Sequence, residues 1–201
     1  MQILTIKNRF LRDNIYLLLT SLLLLSISVF TNRTQSAASL GKSYAGSLSK
    51  YISTAEKDFK TLTQFNALLN EINAPVQNIE KEKKINTYNQ FIFVYKTVPG
   101  FTQLTYWNTQ TILPDVSIIQ SKDSIAFKKL SNGYYLIQKK NVQNNIIISL
   151  VPVKWKYSIA SNYLLNHFAV NASKGEDFEM SYDKNNPSVF ASNGAYLFSV
   201  K

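Results

Sequence analysis

The sequence predicts an α+β protein in which a long helix packs on a mainly antiparallel sheet. One observation behind this is an apolar stripe with helical spacing between residues 40 and 72. A second is a series of β-rich runs from residue 91 onward, several of them separated by hairpin signals. A third observation, a Leu-rich segment near the N-terminus, predicts a transmembrane helix that runs into the long helix.

The Leu-rich segment Ile15–Phe30 reads IYLLLTSLLLLSISVF and carries no charged residue. It is short against the roughly 20 residues that cross a bilayer. With Asn14 and Thr31 included, and with Arg12 and Arg33 reaching outward, a span over residues 14–31 becomes plausible. We therefore predict an uncleaved transmembrane helix there.

Basic residues indicate the orientation of this helix. Lys7, Arg9 and Arg12 precede it, whereas Arg33 alone follows closely. The positive-inside rule then places residues 1–13 in the cytoplasm and the bulk of the chain outside. A cleaved signal peptide is the alternative, because Ser36-Ala37-Ala38 resembles a small-residue cleavage site. Both interpretations predict export.

Residues 32–75 are predicted to form a long membrane-proximal helix. Its apolar residues recur at spacings of three and four, which places them on one side, and Glu56 is expected to lie off that side. The stripe consists of Leu40, Tyr44, Leu48, Tyr51, Ala55, Phe59, Leu62, Phe65, Leu69 and Ile72. Pro75 should end the helix. The stripe can pack on the chain's own domain, or it can also provide a parallel homodimer seam.

Residues 76–201 are predicted to form the sheet, beginning with a polar stretch at 76–89. Asn132-Gly133 and Asn193-Gly194 are hairpin signals because Asn-Gly accepts positive φ. Pro152 indicates an edge strand or a bulge. Ser161–Phe168 is expected to form helical turns, and 171–187 a polar loop. The predicted strands are 91–95, 103–107, 127–130, 134–139, 145–156, 189–191 and 195–200.

Charge and composition exclude several functions. The net charge is +10, but the three arginines, which are the residues best suited to bases and phosphates, all flank the Leu-rich segment. Nucleic acid is therefore not an expected partner. The chain has no cysteine and one histidine, His167, and it shows no phosphate loop, nucleophile elbow or zinc motif. We predict no catalytic residue, no metal site, no cofactor and no enzymatic activity for this chain.

Aromatic side chains on the predicted strands are the candidates for a binding site. Core packing is the simpler explanation for each of them, and the alternative is a cleft on the sheet that takes a small-molecule ligand. Lys154 or Lys156 beside such a cleft could hold a carboxylate ligand. The candidate ligand-binding residues are Tyr95, Tyr106, Trp107, Tyr135, Lys154 and Tyr157.

Three segments resemble the extracytoplasmic sensor region of membrane histidine kinases from one group of Gram-negative bacteria. They are residues 88–114 (YNQFIFVYKTVPGFTQLTYWNTQTILP), the Asn-Gly-Tyr-Tyr-Leu hairpin, and residues 147–168 (IISLVPVKWKYSIASNYLLNHF). The most specific part is the Leu-Val-Pro-Val-Lys strand followed by Asn-Tyr-Leu-Leu-Asn-His-Phe. The resemblance covers roughly residues 10–201.

The resemblance implies a PAS/Cache-like sensor fold and a signalling function. The chain would be the sensing part of a two-component histidine kinase, located in the bacterial inner membrane with its bulk in the periplasm. It would pass ligand-induced or envelope-induced changes across the membrane. The kinase's second transmembrane helix and catalytic domains are absent from these 201 residues, which suggests a fragment. The alternative is a membrane-anchored envelope protein for binding or assembly that does not signal.

Overall fold

The structure is a computed structural model that describes residues 14–34, 37–64, 85, 87–159, 161, 163–170 and 178–201. It divides into two compact units, Met1–Ser43 and Tyr44–Lys201. The described helices are α1 (Ile15–Thr34), α2 (Ala37–Gln64) and the short α3 (Val116–Gln120).

Helix α1 corrects the prediction of a transmembrane helix at residues 14–31. None of the helices that the structure describes combines the length and the apolar character that a membrane crossing requires. The uncharged run Ile15–Phe30 reaches only about 24 Å at ~1.5 Å per residue, against a hydrocarbon thickness of about 30 Å. Thr20, Ser21 and Ser26 also interrupt it with hydroxyl groups that donate to backbone carbonyls. The transmembrane prediction is therefore wrong, and so is the inner-membrane localisation, with cytoplasmic N-terminus and periplasmic bulk, that rested on it.

From Tyr44 onward, the apolar side of α2 is buried within its own chain. Leu48 and Ile52 are fully buried, and Tyr44, Ala55 and Phe59 nearly so. The predicted stripe is right at most of these positions, but it missed Ile52. It also placed Glu56 off the buried side, whereas Glu56 is only 8% exposed. Phe65, Leu69, Ile72 and the predicted end at Pro75 lie outside the described residues.

The larger sheet has five antiparallel strands in the order β2-β1-β5-β4-β3. Their bounds are β1 Phe91–Val98, β2 Phe101–Trp107, β3 Ile125–Leu130, β4 Gly133–Val142 and β5 Asn145–Trp155. Each was predicted from β-rich runs and turn signals, to within a few residues. The turn between β1 and β2, Pro99-Gly100, contains a glycine with positive φ (Gly100, φ 89°).

A smaller antiparallel sheet follows, with the order β6-β8-β7. Its strands are β6 Met180–Ser181, β7 Ser188–Phe190 and β8 Tyr196–Val200. The terminal hairpin was predicted, but β6 lies in a segment predicted as loop. Part of that segment, 171–177, lies outside the described residues.

The helical turns predicted at Ser161–Phe168 are wrong. This segment instead forms isolated bridges, one between Ser161 and Leu164 and one between Phe168 and Lys154. Trp155 N–H donates to His167 O at 2.8 Å, and Ala169 N–H donates to Val153 O at 2.9 Å. The backbone groups of residues 167 and 169 therefore bond to the end of β5, whereas in a helix they would bond to other residues of that helix.

The two faces of the five-stranded sheet carry separate cores. We call the face that α2 covers the inner face. Leu136, Val151 and Val153 from this face pack with α2 and with Val189 and Phe198 of the smaller sheet. The opposite, outer face carries Phe93, Tyr95, Tyr135, Ile148 and Leu150, covered by Ile112, Ile118 and Ile119 around α3. An α+β protein with an antiparallel sheet is therefore observed, while the PAS/Cache-like assignment stays a prediction.

A bulge in β5 changes which face its last residues occupy. Tyr134 pairs with Lys154, but its neighbour Tyr135 pairs with Pro152, so Val153 has no partner of its own in β4. Alternation of side chains is shifted by one residue at such a point. The sequence pattern placed Val151, Val153 and Trp155 on one face; in the structure Val151 and Val153 are on the inner face and Trp155 packs on the outer one. Pro152 was predicted to indicate either an edge strand or a bulge. The structure has a bulge next to Pro152, and β5 is the central strand of the sheet.

Candidate functional site

The structure distributes the six candidate ligand-binding residues over both faces of the sheet. Tyr95, Tyr135 and Tyr157 are on the outer face or at its end, whereas Lys154 and Tyr106 pack with inner-face residues. Trp107, at the end of β2, is 47% exposed. They therefore do not form one site, although part of the set does come together.

Four aromatic rings meet at one end of the outer face, and we call them the aromatic cluster: Phe91, Tyr135, Trp155 and Tyr157. The Trp155 and Tyr157 rings are stacked, with 6.0 Å between centroids and an interplanar angle of 2°. Tyr135 meets Trp155 edge to face at 6.0 Å, and Phe91 lies 6.3 Å from Trp155. Such offset and edge-to-face contacts stabilise aromatic groups beyond area burial alone. Phe91 and Trp155 were not among the candidate ligand-binding residues.

Tyr135 is the buried member of the aromatic cluster. Its side chain is fully buried, and its hydroxyl donates to Asn132 Oδ1 at 2.8 Å. Burial raises the pKa of the Tyr135 phenol, and the neighbouring Tyr157 raises it further, while the hydrogen bond to Asn132 lowers it. Asn132 in turn donates to Thr111 O at 3.4 Å, which connects the β3–β4 turn to the covering segment. Tyr135 is thus a neutral hydrogen-bond donor whose hydroxyl is already engaged.

Trp155 and Tyr157, like Phe91, are half-buried and therefore accessible members of the cluster. Their parallel rings present aromatic surface without a charged group of their own, which suits a planar or apolar ligand. Tyr157 N–H donates to Asn166 Oδ1 at 2.8 Å, so that the backbone at Tyr157 is held in place.

Helix α2 reaches the β5 bulge from the inner face. The Tyr51 hydroxyl lies 3.2 Å from Pro152 O and 3.3 Å from Asn89 O. A single hydroxyl proton can be shared between these two carbonyl oxygens. Burial raises the pKa of Tyr51 to about 12. Pro152 is also the residue that pairs with Tyr135, so a helix residue and an aromatic-cluster residue meet at one backbone position.

Lys154 lies away from the aromatic cluster, on the inner face. Its ammonium group is 4.5 Å from the centroid of the Phe168 ring and donates to Phe178 O at 3.2 Å. Burial lowers the pKa of Lys154, an effect that nearby Glu179 opposes. A cation over a ring with a carbonyl acceptor is a satisfied structural lysine. The predicted role of Lys154 as a carboxylate partner beside an aromatic cleft has no geometric support.

Buried polar side chains interrupt the apolar contact between α2 and the sheet. Gln138 donates to Ala55 O at 3.5 Å, and Ser149 donates to Gln90 Oε1 at 2.5 Å. Glu56 accepts a hydrogen bond from Ser192 N–H at 2.7 Å. Among the described residues, Glu56 Oε1 and Gln90 Nε2 have no hydrogen-bond partner. Such polar contacts fix the position of the helix but cost free energy where a group stays unsatisfied.

Sequence reasoning missed a cleft of about 330 Å³ between β3 and the smaller sheet. Its walls come from Ile125 and Phe127 on one side and from Tyr182, Tyr196 and neighbouring alanines on the other. No local motif could have revealed it, because its two walls are more than fifty residues apart in sequence. The alternation of Ile125 and Phe127 was the available signal, but it does not tell what lies opposite.

Comparisons with protein-family models, with curated proteins and with solved structures found no match to this chain.

Proposed function

We propose that residues 44–201 form a signal-sensing module in which binding at the aromatic cluster alters the contact between the sheet and α2. The observation that carries the proposal is the shared position at the β5 bulge. Tyr135 pairs with Pro152, and Tyr51 of α2 donates to the carbonyl oxygen of the same Pro152. The resemblance to histidine-kinase sensor regions supports the same function.

The β5 bulge is a suitable element for such a response. A bulge leaves one residue without a ladder partner, so its backbone can shift at less cost than a regularly paired strand. A ligand that wedges against Trp155 and Tyr157 would change the backbone geometry three to five residues from Pro152. Tyr51 would then lose or gain its hydrogen bond, and the ligand would favour one of two helix positions according to its differential affinity for them.

The experiment uses the full chain and a screen of planar aromatic and apolar small molecules for thermal stabilisation. A molecule that binds only the folded state raises the melting temperature by mass action. Trp107→Phe leaves Trp155 as the single tryptophan, so binding at the aromatic cluster should change its fluorescence. Hydrogen exchange should then change in the part of α2 around Tyr51.

The control is Trp107→Phe combined with Tyr157→Leu, which removes the stacked ring from Trp155 and should abolish the fluorescence change. Hits that stabilise the protein but leave both Trp155 fluorescence and exchange in α2 unaltered would contradict the proposal. Ligand binding at the cluster with no response in α2 would favour a binding module that does not signal.

A further inference from the structure

The free edge of β3 has a regular row of backbone groups that face away from the sheet. Ser124 O accepts a hydrogen bond from Lys139 N–H at 2.8 Å, and β3 pairs with β4 from Ile125↔Gln138 to Leu130↔Gly133. Hydrogen-bonded pairs alternate along an antiparallel ladder. The backbone groups of Ile125, Phe127 and Lys129 therefore point outward, and no residue that the structure describes hydrogen-bonds to them.

The other free edge of the sheet, β2, lacks this regularity. Its pairing with β1 shifts between Val94 and Tyr95, so that Thr105 is an extra residue in β2. The backbone N–H and C=O groups that point outward from β2 therefore do not keep one regular spacing across Thr105. Bulges of this kind protect an edge from strand addition. β3, by contrast, is continuous over its six residues.

The cleft beside β3 offers a place for the side chains of an added strand. Ile125 and Phe127 form one wall, and Tyr182, Tyr196 and Leu197 contribute to the other. Since residues 125, 127 and 129 share the inner face, side chains of an added strand on that face would enter the cleft. Most residues that line the cleft are aliphatic or aromatic, so apolar side chains would fit there.

The positive charge along the β3 edge determines which charged side chains a partner strand would carry. Lys128 is on the outer face of β3, and Lys129 is exposed at the end of the outward row. Opposite charges on neighbouring strands stabilise their pairing, and like charges oppose it. A second copy of this chain also carries a net charge of +10, and the repulsion between the two copies disfavours self-association.

We propose that the β3 edge binds an extended acidic peptide by strand addition, with apolar side chains alternating with carboxylates. The apolar side chains enter the cleft beside Phe127, and the carboxylates lie on the outer face near Lys128. The main-chain groups of Ile125, Phe127 and Lys129 supply the ladder hydrogen bonds. This binding surface is separate from the aromatic cluster and does not depend on the proposed sensing function.

The test measures fluorescence anisotropy of a labelled eight-residue peptide in which Glu and Val alternate, titrated with the full chain. Binding should weaken roughly tenfold when salt rises from 0.05 to 0.5 M, because the charge pairs are exposed to solvent. A peptide with Lys in place of Glu should not bind. Lys128→Glu combined with Lys129→Glu should weaken binding of the Glu peptide by roughly tenfold or more.

Two proline variants separate strand addition from simple charge attraction. Lys129→Pro removes an outward N–H without breaking a β4 hydrogen bond, and it should weaken binding by more than Lys129→Gln, which removes only the charge. Thr102→Pro makes the corresponding change on β2 and should leave binding unaltered. If Lys129→Pro fails to fold, amide hydrogen exchange of the unmodified chain provides the test. Strand addition should protect the amides of Ile125, Phe127 and Lys129 when the peptide binds.

Absence of binding by folded protein at millimolar concentration would overturn the proposal. So would equal affinity for the Glu and Lys peptides, loss of binding in Thr102→Pro alone, or binding without protection of the three β3 amides.

Discussion

Tyr51 of α2 and Tyr135 of β4 reach the same backbone position from opposite faces of the sheet. The Tyr51 hydroxyl is 3.2 Å from Pro152 O, and Tyr135 is the β4 residue that pairs with Pro152 across the bulge. Tyr135 also carries the edge-to-face contact with Trp155. The aromatic cluster is thereby connected to α2 through one residue of the central strand.

Gly133 is required where β4 passes the bulge. A Cβ atom at this position would lie 2.4 Å from Lys154 O and 3.2 Å from the Trp155 Cα, both of them backbone atoms that cannot rotate away. Gly133→Ala should therefore destabilise the fold by about 1–3 kcal/mol, the usual cost of overpacking. Urea unfolding measures the change.

Gly46 provides the matched control for Gly133. It lies in α2 with no atom within 4 Å of an added Cβ. Gly46→Ala should stabilise the protein by up to about 1 kcal/mol, because alanine favours the helix interior. Equal effects of the two substitutions would contradict the close approach at Gly133.

Ile52 tests how tightly α2 packs on the inner face. It is fully buried in the core shared by α2 and both sheets. Ile52→Ala should lower the free energy of unfolding by about 2–5 kcal/mol, because it removes apolar contacts and leaves a cavity. Thr54→Ala, on the exposed side of α2, should change it by less than about 0.5 kcal/mol. A small effect at Ile52 would mean that α2 does not pack on the sheet.

Tyr51 should make stability depend on pH in the alkaline range. Burial raises its pKa from the ordinary value of 10.0 to about 12, so the unfolded chain releases this proton at lower pH than the folded one. Its contribution is complete below pH 10 and is lost as pH rises through about 12. Tyr51→Phe should therefore lose less stability than the unmodified protein between pH 10 and 11.5, as urea unfolding at each pH will show. An identical decline in both proteins would contradict the buried hydroxyl.

Local patterns in the sequence were sufficient for most secondary structure. The runs at 91–95 and 145–156 became β1 and β5, and Pro-Gly and Asn-Gly dipeptides marked three hairpins. The reason assigned to Gly133 was wrong, however. The positive φ expected there is found at Gly100 and Gly194 instead, and Gly133 is needed for the close approach of Lys154 O.

The candidate site was harder to predict because one extra residue in β5 moves the side chains that follow it to the opposite face of the sheet. Strict alternation put Trp155 on one face with Val151 and Val153, whereas in the structure Trp155 packs with Tyr135 on the opposite face. Pro152 signalled a bulge, but not which residue would be extra. Glu56 was predicted to lie off the apolar stripe, whereas it is buried and its carboxylate accepts a hydrogen bond from the Ser192 amide in the β7–β8 turn. Contacts between distant segments leave no periodic signal.

The proposed function requires that the aromatic cluster and α2 are energetically coupled through Pro152. A double-mutant cycle of Tyr51→Phe and Tyr135→Leu, measured by urea unfolding, tests it most directly. We expect a coupling free energy above about 0.5 kcal/mol, since both residues act on one backbone position. The control cycle combines Thr54→Ala, on the exposed side of α2, with Tyr135→Leu, and it should be additive. Additivity within about 0.3 kcal/mol for Tyr51 and Tyr135 would contradict this coupling.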